Sequence, residues 1–320
     1  MGNSRIRGLF FLTAAVIVFS LLGCEPRQQG MSLQLLPAAD YQAGYRVKTE
    51  SHQVLAYEGS LEHDSKFQGG SNISTAEMTF TQKIRKINEQ GNILADITID
   101  ALKVSSVTRD ETTFSYDSTA EQDARNPMTK LIGKSYTIEL SPQMEVVRVV
   151  NASSARASVV GSSESHKRAQ ALLRDEEITL RHSISGIGNE KIKRAAKGDK
   201  WSNDKSFSFP IIGTRNYERV YTLSNIEQQN GKEIAVINMQ GFPAASTEIK
   251  APSLMDMFDS RQTFEGQIKL DIATGLVQSC FEKFDSEWMF VDPMHDIKTD
   301  EPPAAFRLGA IRLFSMERIN

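Results

Sequence analysis

Between residues 74 and 107 the chain alternates apolar and polar side chains along two arms that flank one turn cluster. Met78, Phe80, Ile84 and Ile87 stand among Thr, Gln, Lys and Arg in the first arm. In the second, Ile93, Ala95, Ile97 and Ile99 alternate with Asn92, Asp96, Thr98 and Asp100. A period of two is the pattern of a strand with one buried face. Asn88-Glu89-Gln90-Gly91-Asn92 joins the arms and is rich in turn formers. Both arms run well beyond the common strand length of about 5–6 residues. A hairpin of this size requires a large curved sheet to receive it.

The same alternation recurs along the chain. Tyr45, Val47 and Thr49 suggest one strand, and residues 53–61 a second, before a polar loop over 62–72. Residues 134–140 and 145–150 form a hairpin around Ser141-Pro142-Gln143-Met144, with Pro at the second turn position. Residues 216–228 and 232–239 form another around Gln229-Asn230-Gly231, and Asn-Gly between alternating arms is the strongest short hairpin signal. A third covers 262–272 and 276–284 around Ala273-Thr274-Gly275. A final strand at 306–319 loses phase after Ala310, which reads as a register shift. Residues 117–126 read as an acidic loop and 127–132 as a short helical turn.

Residues 151–197 differ in kind. Ser162 or Ser163 can cap a helix that starts near Glu164, and a second helical stretch covers 175–184 before Gly186. The expected fold is therefore mainly β with a helical insert: a large curved antiparallel sheet, half-barrel-like, in two similar halves. The expected divisions are 41–150 for the first β half, 151–197 for the insert and 198–320 for the second β half. A sheet with one apolar face must cover it, and the insert can do so in part.

The N-terminus carries an address. Arg5 and Arg7 precede an apolar run from Leu9 to Leu22, which ends in Gly23 and Cys24. A charged start, a short apolar core and a small residue at the cleavage point describe an export signal. The run of about fourteen residues is shorter than the ~20 a membrane-spanning helix needs. Leu21-Leu22-Gly23-Cys24 resembles the lipobox of bacterial lipoproteins. The resemblance implies cleavage after residue 23, lipidation of Cys24 and a tether over residues 24–40. It places the chain in the bacterial cell envelope, and Glu25 after the cysteine leans toward the periplasmic face of the outer membrane. The partner so implied is the membrane, reached through the N-terminal lipid.

Composition excludes some classes. Removing residues 1–23 takes away Arg5 and Arg7 and no acid, leaving 35 basic against 40 acidic residues, a net charge of −5. Nucleic acid is not an expected partner of so mildly acidic a chain. Cys24 and Cys280 are the two cysteines. With Cys24 acylated, Cys280 has no partner in the chain and reads as a buried inert thiol.

Catalytic and metal signatures are weak. His52, His63, His166, His182 and His295 are scattered, and no zinc spacing occurs. His295 between Asp292 and Asp296 is the one His–carboxylate cluster in the sequence, within a turn-rich loop. Asp117, Glu121 and Asp123 lack the calcium-loop pattern. No catalytic residue, metal ligand or cofactor is assigned. Candidate ligand contacts are Trp201, read first as a buried anchor, and the Met255, Met257, Phe258 patch, whose thioethers suit adaptable apolar contacts.

Gly133-Lys134-Ser135-Tyr136-Thr137, Leu140-Ser141-Pro142, Val146-Val147 and Gly198-Asp199-Lys200-Trp201 together resemble a family of uncharacterised bacterial lipoproteins. Gln143-Met144-Glu145 departs from that family's Asp-Gly return turn. The resemblance implies fold and address and carries no activity. The expected function is a non-enzymatic binding or scaffold module at the membrane surface, with an apolar ligand or an envelope protein as partner. The alternatives are a carrier of a lipid or other apolar ligand in a sheet–helix groove, and a hydrolase with a dispersed site. An apolar cavity above about 300 Å³ between sheet and helices favours the carrier; a filled interface excludes it.

Overall fold

The computed structural model describes residues 30–33, 37–59, 69–187, 194–209, 213–244, 259–291 and 303–319. The first part of the chain supplies β1 (Met31–Ser32), β2 (Gln42–Glu58), β3 (Gly70–Ile87), β4 (Ile93–Thr108), β5 (Glu111–Asp117), β6 (Ser135–Leu140) and β7 (Val146–Asn151). Three short helices follow: α1 (Ser153–Ser158), α2 (Glu164–Leu172) and α3 (Asp175–His182). The rest supplies β8 (Arg194–Ala195), β9 (Lys200–Phe209), β10 (Gly213–Gln229), β11 (Lys232–Pro243), β12 (Asp259–Asp271), β13 (Val277–Val291) and β14 (Ala305–Arg318).

One 12-stranded antiparallel sheet holds nearly all of this, in the order β7-β6-β4-β3-β2-β14-β13-β12-β11-β10-β9, with β5 beside β4. The sheet stays open, with β7 and β9 as the two ends of that order. Its halves meet where β14 pairs with β2 along their full lengths, from Ala305↔Glu58 to Arg318↔Tyr45. In both halves the chain steps across the sheet in the same direction. Among the described residues no helix is long and apolar enough to cross a membrane.

The inner face carries the core. On β4, Ile93, Ala95, Ile97 and Ile99 are buried, and so is Leu102. The shift from odd to even positions is a β-bulge: Thr79 opposes Ala101 while Phe80 opposes Ile99, which leaves Asp100 as the extra residue. Such an insertion re-phases a strand without breaking it. In the second half the core is aromatic. Phe284 lies 4.6 Å from Phe207 and 5.6 Å from Phe264, ring centre to ring centre. The β10–β11 turn places Asn230 and Gly231 at φ +50° and +75°, the geometry that the Asn-Gly pair foretells.

The helices are too short to hold themselves; isolated helices below about 12–15 residues are marginal in water. Local signals start them. The Ser163 hydroxyl accepts from the His166 backbone N–H at the head of α2. Asp175, Glu176 and Glu177 open α3, and Arg181 and His182 close it, matching the helix dipole. Packing then fixes them through Ala155, Ala169 and Ile178, each fully buried. Residues 183–187 tie the insert to both halves. Ile184 N–H donates to Met144 O at 2.9 Å, Val146 N–H donates to Ser183 Oγ at 3.0 Å, and the Trp201 indole N–H donates to Gly186 O at 3.1 Å.

Four expectations of detail are corrected. The first two strands are one continuous β2. A strand, β5, ends at Asp117, where the acidic loop was expected to start; Asp123 Oδ2 then accepts the Asp117 N–H at 2.8 Å. Within the expected tether, Met31–Ser32 pairs with Arg194–Ala195, and Leu33 is fully buried. Finally, β14 has no register shift. Leu308, Ala310, Arg312, Phe314 and Met316 oppose Trp288, Ser286, Phe284, Glu282 and Cys280 in unbroken alternation. The apparent loss of phase arises because Arg312 occupies an inner position.

Candidate functional site

A cavity of about 500 Å³ lies between the inner face of the sheet and helices α2 and α3. The first half lines it with Val47, Ala76, Met78, Leu102 and Val104. The second half contributes Phe207, Phe264, Phe284 and Phe314. Ala171, Leu172, Leu180 and Ile184 close it from the helical side. Leu180 is 57% exposed, so an apolar side chain stands at the rim. The interface between sheet and helices is therefore not filled. The volume lies within the ~300–1,000 Å³ typical of small-molecule sites, which are likewise mostly apolar.

Polar groups line every side of the cavity, among them Glu50 in the first half and Arg168, Glu177 and Arg181 on the helical side, and the second-half wall adds Lys205, Arg219, Glu282 and Arg312. The inner positions of β9 are Trp201, Asn203, Lys205, Phe207 and Phe209, so a lysine stands where the pattern calls for an apolar residue. Arg219 of β10 is buried and donates to Glu282 Oε1 and Asn203 Oδ1, each at 2.9 Å. Arg312 lies 5.2 and 5.0 Å from the ring centres of Phe207 and Phe209 and donates to Ser208 O at 2.9 Å. Burial holds the Lys205 ammonium below its usual pKa, against the pull of the Glu282 charge; Arg219 and Arg312 push the same way as burial. Burial also lowers the Arg312 guanidinium.

Cys280 lines the cavity and is buried and free. Burial, and to a lesser degree the Glu282 charge, pushes its thiol well above the ordinary range. A thiol held protonated is a poor nucleophile, as the sequence reading anticipates.

Behind the cavity, His182 is 2% exposed. The Tyr136 hydroxyl lies 2.6 Å from its Nε2, and its ring meets Phe80 edge-on at 4.7 Å. Arg181 donates to Leu172 O at 2.9 Å and to Tyr136 Oη at 3.5 Å. Burial, then the Arg181 charge, holds the imidazole pKa well below its ordinary value. The folded state thus leaves His182 neutral where the unfolded chain protonates it. This group's contribution is complete well above pH 6.5 and is lost as pH falls through 6.5 toward the lowered folded value. Between pH 6.5 and 5.5, wild type is expected to lose up to about 1 kcal/mol more than His182→Gln in urea unfolding. Parallel slopes would remove this role.

Of the sequence-derived site residues, Trp201 lines no part of the cavity; it is buried and stacks on Tyr221 at 6.1 Å. Cys24, the Met255, Met257, Phe258 patch and the His295 cluster with Asp292 and Asp296 lie outside the described residues, as does His63. His166 bonds Ser163 Oγ through Nδ1 at 2.7 Å. Among the described residues no group of His, Cys, Asp or Glu side chains is arranged to hold a metal ion. Lys205, Arg219, Glu282 and Arg312 are among the polar cavity residues that the sequence did not single out. For Arg312 a signal existed, namely the broken alternation near Ala310.

No curated protein matches the chain. Among solved structures it is similar to one described as lipid–protein interactions in lipovitellin, at 9% identity and a TM-score of 0.44. That alignment covers 88% of this chain and 25% of the other, so the chain spans a quarter of that protein's length. A likeness this loose has no bearing on function. The family comparison is firmer: residues 90–277, more than half of the 320, match the family of unknown function DUF6263, and the chain belongs to that family.

Proposed function

We propose that this protein is a non-enzymatic binding module that holds an apolar ligand in the cavity between its sheet and helices. The observation that carries the reading is the cavity itself: about 500 Å³ enclosed mostly by aliphatic and aromatic side chains, where a packed interface was the alternative. Close packing is the rule inside proteins, so an apolar space of this size is a feature the fold maintains. The Leu21-Leu22-Gly23-Cys24 pattern supports a lipid anchor on Cys24 and a working position at the bacterial envelope. An anchored cavity would act on ligands at the membrane surface. His182 gives no support to a hydrolase, since it is buried against Tyr136 and Phe80.

Every described element lies within residues 30–319, so a chain of residues 25–320 contains the whole described fold. Its one thiol is Cys280. The uncharged fluorophore N-phenyl-1-naphthylamine is expected to bind this chain saturably, with one site per molecule. The same ligand is expected to slow iodoacetamide alkylation of Cys280, because that thiol lines the cavity. Linear, non-saturating fluorescence with unprotected Cys280 would rule the reading out.

A further inference from the structure

We propose that the ligand is an amphiphile with an anionic head, a carboxylate or a phosphate on a single apolar chain, and that Lys205 and Arg312 receive the head. This rests on the cavity reading above and assigns its chemical class. The argument begins with charge. Four charged side chains share the inner wall of the second half: Lys205, Arg219 and Arg312 against Glu282. Arg219 and Glu282 satisfy each other at 2.9 Å. Lys205 has no hydrogen-bond or ion-pair partner among the described residues, and its Nζ lies 5.9 Å from the Phe207 ring centre. Arg312 has one carbonyl, and no acid pairs with it among the described residues.

Two other acids line the cavity. Glu50 pairs with Lys48 at 3.1 Å, and Glu177 is exposed on α3. The wall therefore carries two cations without counter-charge. Desolvating a cation is costly unless an anion or several acceptors meet it. A bound anionic head would supply that charge. The guanidinium fork matches the paired oxygens of a carboxylate or phosphate, and the lysine adds a point charge beside it.

The apolar parts of the wall suit a tail. Phe207 and Phe284 flank the cationic groups, and Met78, Leu102 and Val104 line the far side. At about 30 Å³ per non-hydrogen atom, the share of liquid volume that a water molecule takes, the cavity holds roughly 16 atoms. That is one acyl chain rather than two.

The test uses residues 25–320 and displacement of N-phenyl-1-naphthylamine. The probes are hexadecanoate, its uncharged methyl ester, and a single-chain lysophosphatidate of the same length. Hexadecanoate or the lysophosphatidate is expected to displace the fluorophore at least about tenfold more tightly than the ester, the worth of one charge-assisted contact. Whichever anion is tighter identifies the head as carboxylate or lipid phosphate. Lys205→Met and Arg312→Met, singly and together, should weaken the acid more than the ester and so bring the acid-to-ester ratio toward one. Lys205→Arg should keep the ratio near that of wild type. A cooperative urea transition shows that each variant is folded. If the fluorophore binds but acid and ester displace it equally, the head assignment fails while the cavity reading stands. If the fluorophore does not bind, both fail.

Discussion

Trp201→Ala is expected to lower the free energy of unfolding by about 3–5 kcal/mol, the range for deleting a buried large aromatic. Trp201 is the hinge between insert and sheet. Its indole stacks on Tyr221 with the planes 13° apart, and its N–H donates to Gly186 O at 3.1 Å. Gly186 is itself fixed. Its φ is +108°, and an added Cβ would stand 2.1 Å from Tyr221 Cε1. The three residues form one unit, in which the glycine carbonyl is presented to the tryptophan because no side chain keeps the backbone away from the tyrosine ring. Trp201→Phe should keep much of the packing and lose the donor, at a cost of about 1–3 kcal/mol for an unpaired buried carbonyl. Urea unfolding followed by circular dichroism separates the two. Fluorophore binding to Trp201→Phe should match wild type, since Trp201 lines no part of the cavity. A destabilisation of Trp201→Ala below about 1 kcal/mol would show that the insert does not depend on this contact.

The fold was legible wherever one face of a strand is packed and the other wet. The β3–β4, β6–β7, β10–β11 and β12–β13 hairpins each combine alternation with a turn-forming cluster, and each forms. The Ser163 cap and the acidic first turn of α3 were likewise local signals. Two things were not local. Pairing of β14 with β2 joins residues some 250 positions apart, and no periodicity specifies a strand's neighbour across that distance. The second concerns the cavity. Periodicity identifies the inner face by its apolar residues, but a wall that meets a ligand is free to carry polar ones. Asn203 and Lys205 hid β9 among Ser202, Asp204 and Ser206, and Arg312 made β14 look broken. Two of the misread stretches, β9 and β14, thus carry Lys205 and Arg312 of the candidate site. That is where local rules are expected to fail.

Glu282→Ala is the second large effect, again about 3–5 kcal/mol, the cost of breaking a buried pair by removing one partner. Glu282 is the one acid on a wall with three cations, and Arg219, its partner, is 2% exposed. Without the carboxylate, Arg219 keeps Asn203 Oδ1 as an acceptor but has no counter-charge, and Lys205 loses the neighbouring charge that favours its ammonium form. Replacing both members, Arg219→Met with Glu282→Met, should recover most of the loss, because an apolar pair of similar volume needs no compensation. The same change bears on the ligand. Glu282 both balances the wall and repels an incoming anion. Glu282→Gln removes the repulsion and keeps the shape, so hexadecanoate should raise the urea midpoint of this variant by more than it raises that of wild type. Equal shifts would show that the carboxylate does not sense the head. A larger shift in wild type would place the head away from Glu282, and with it away from Lys205 and Arg312.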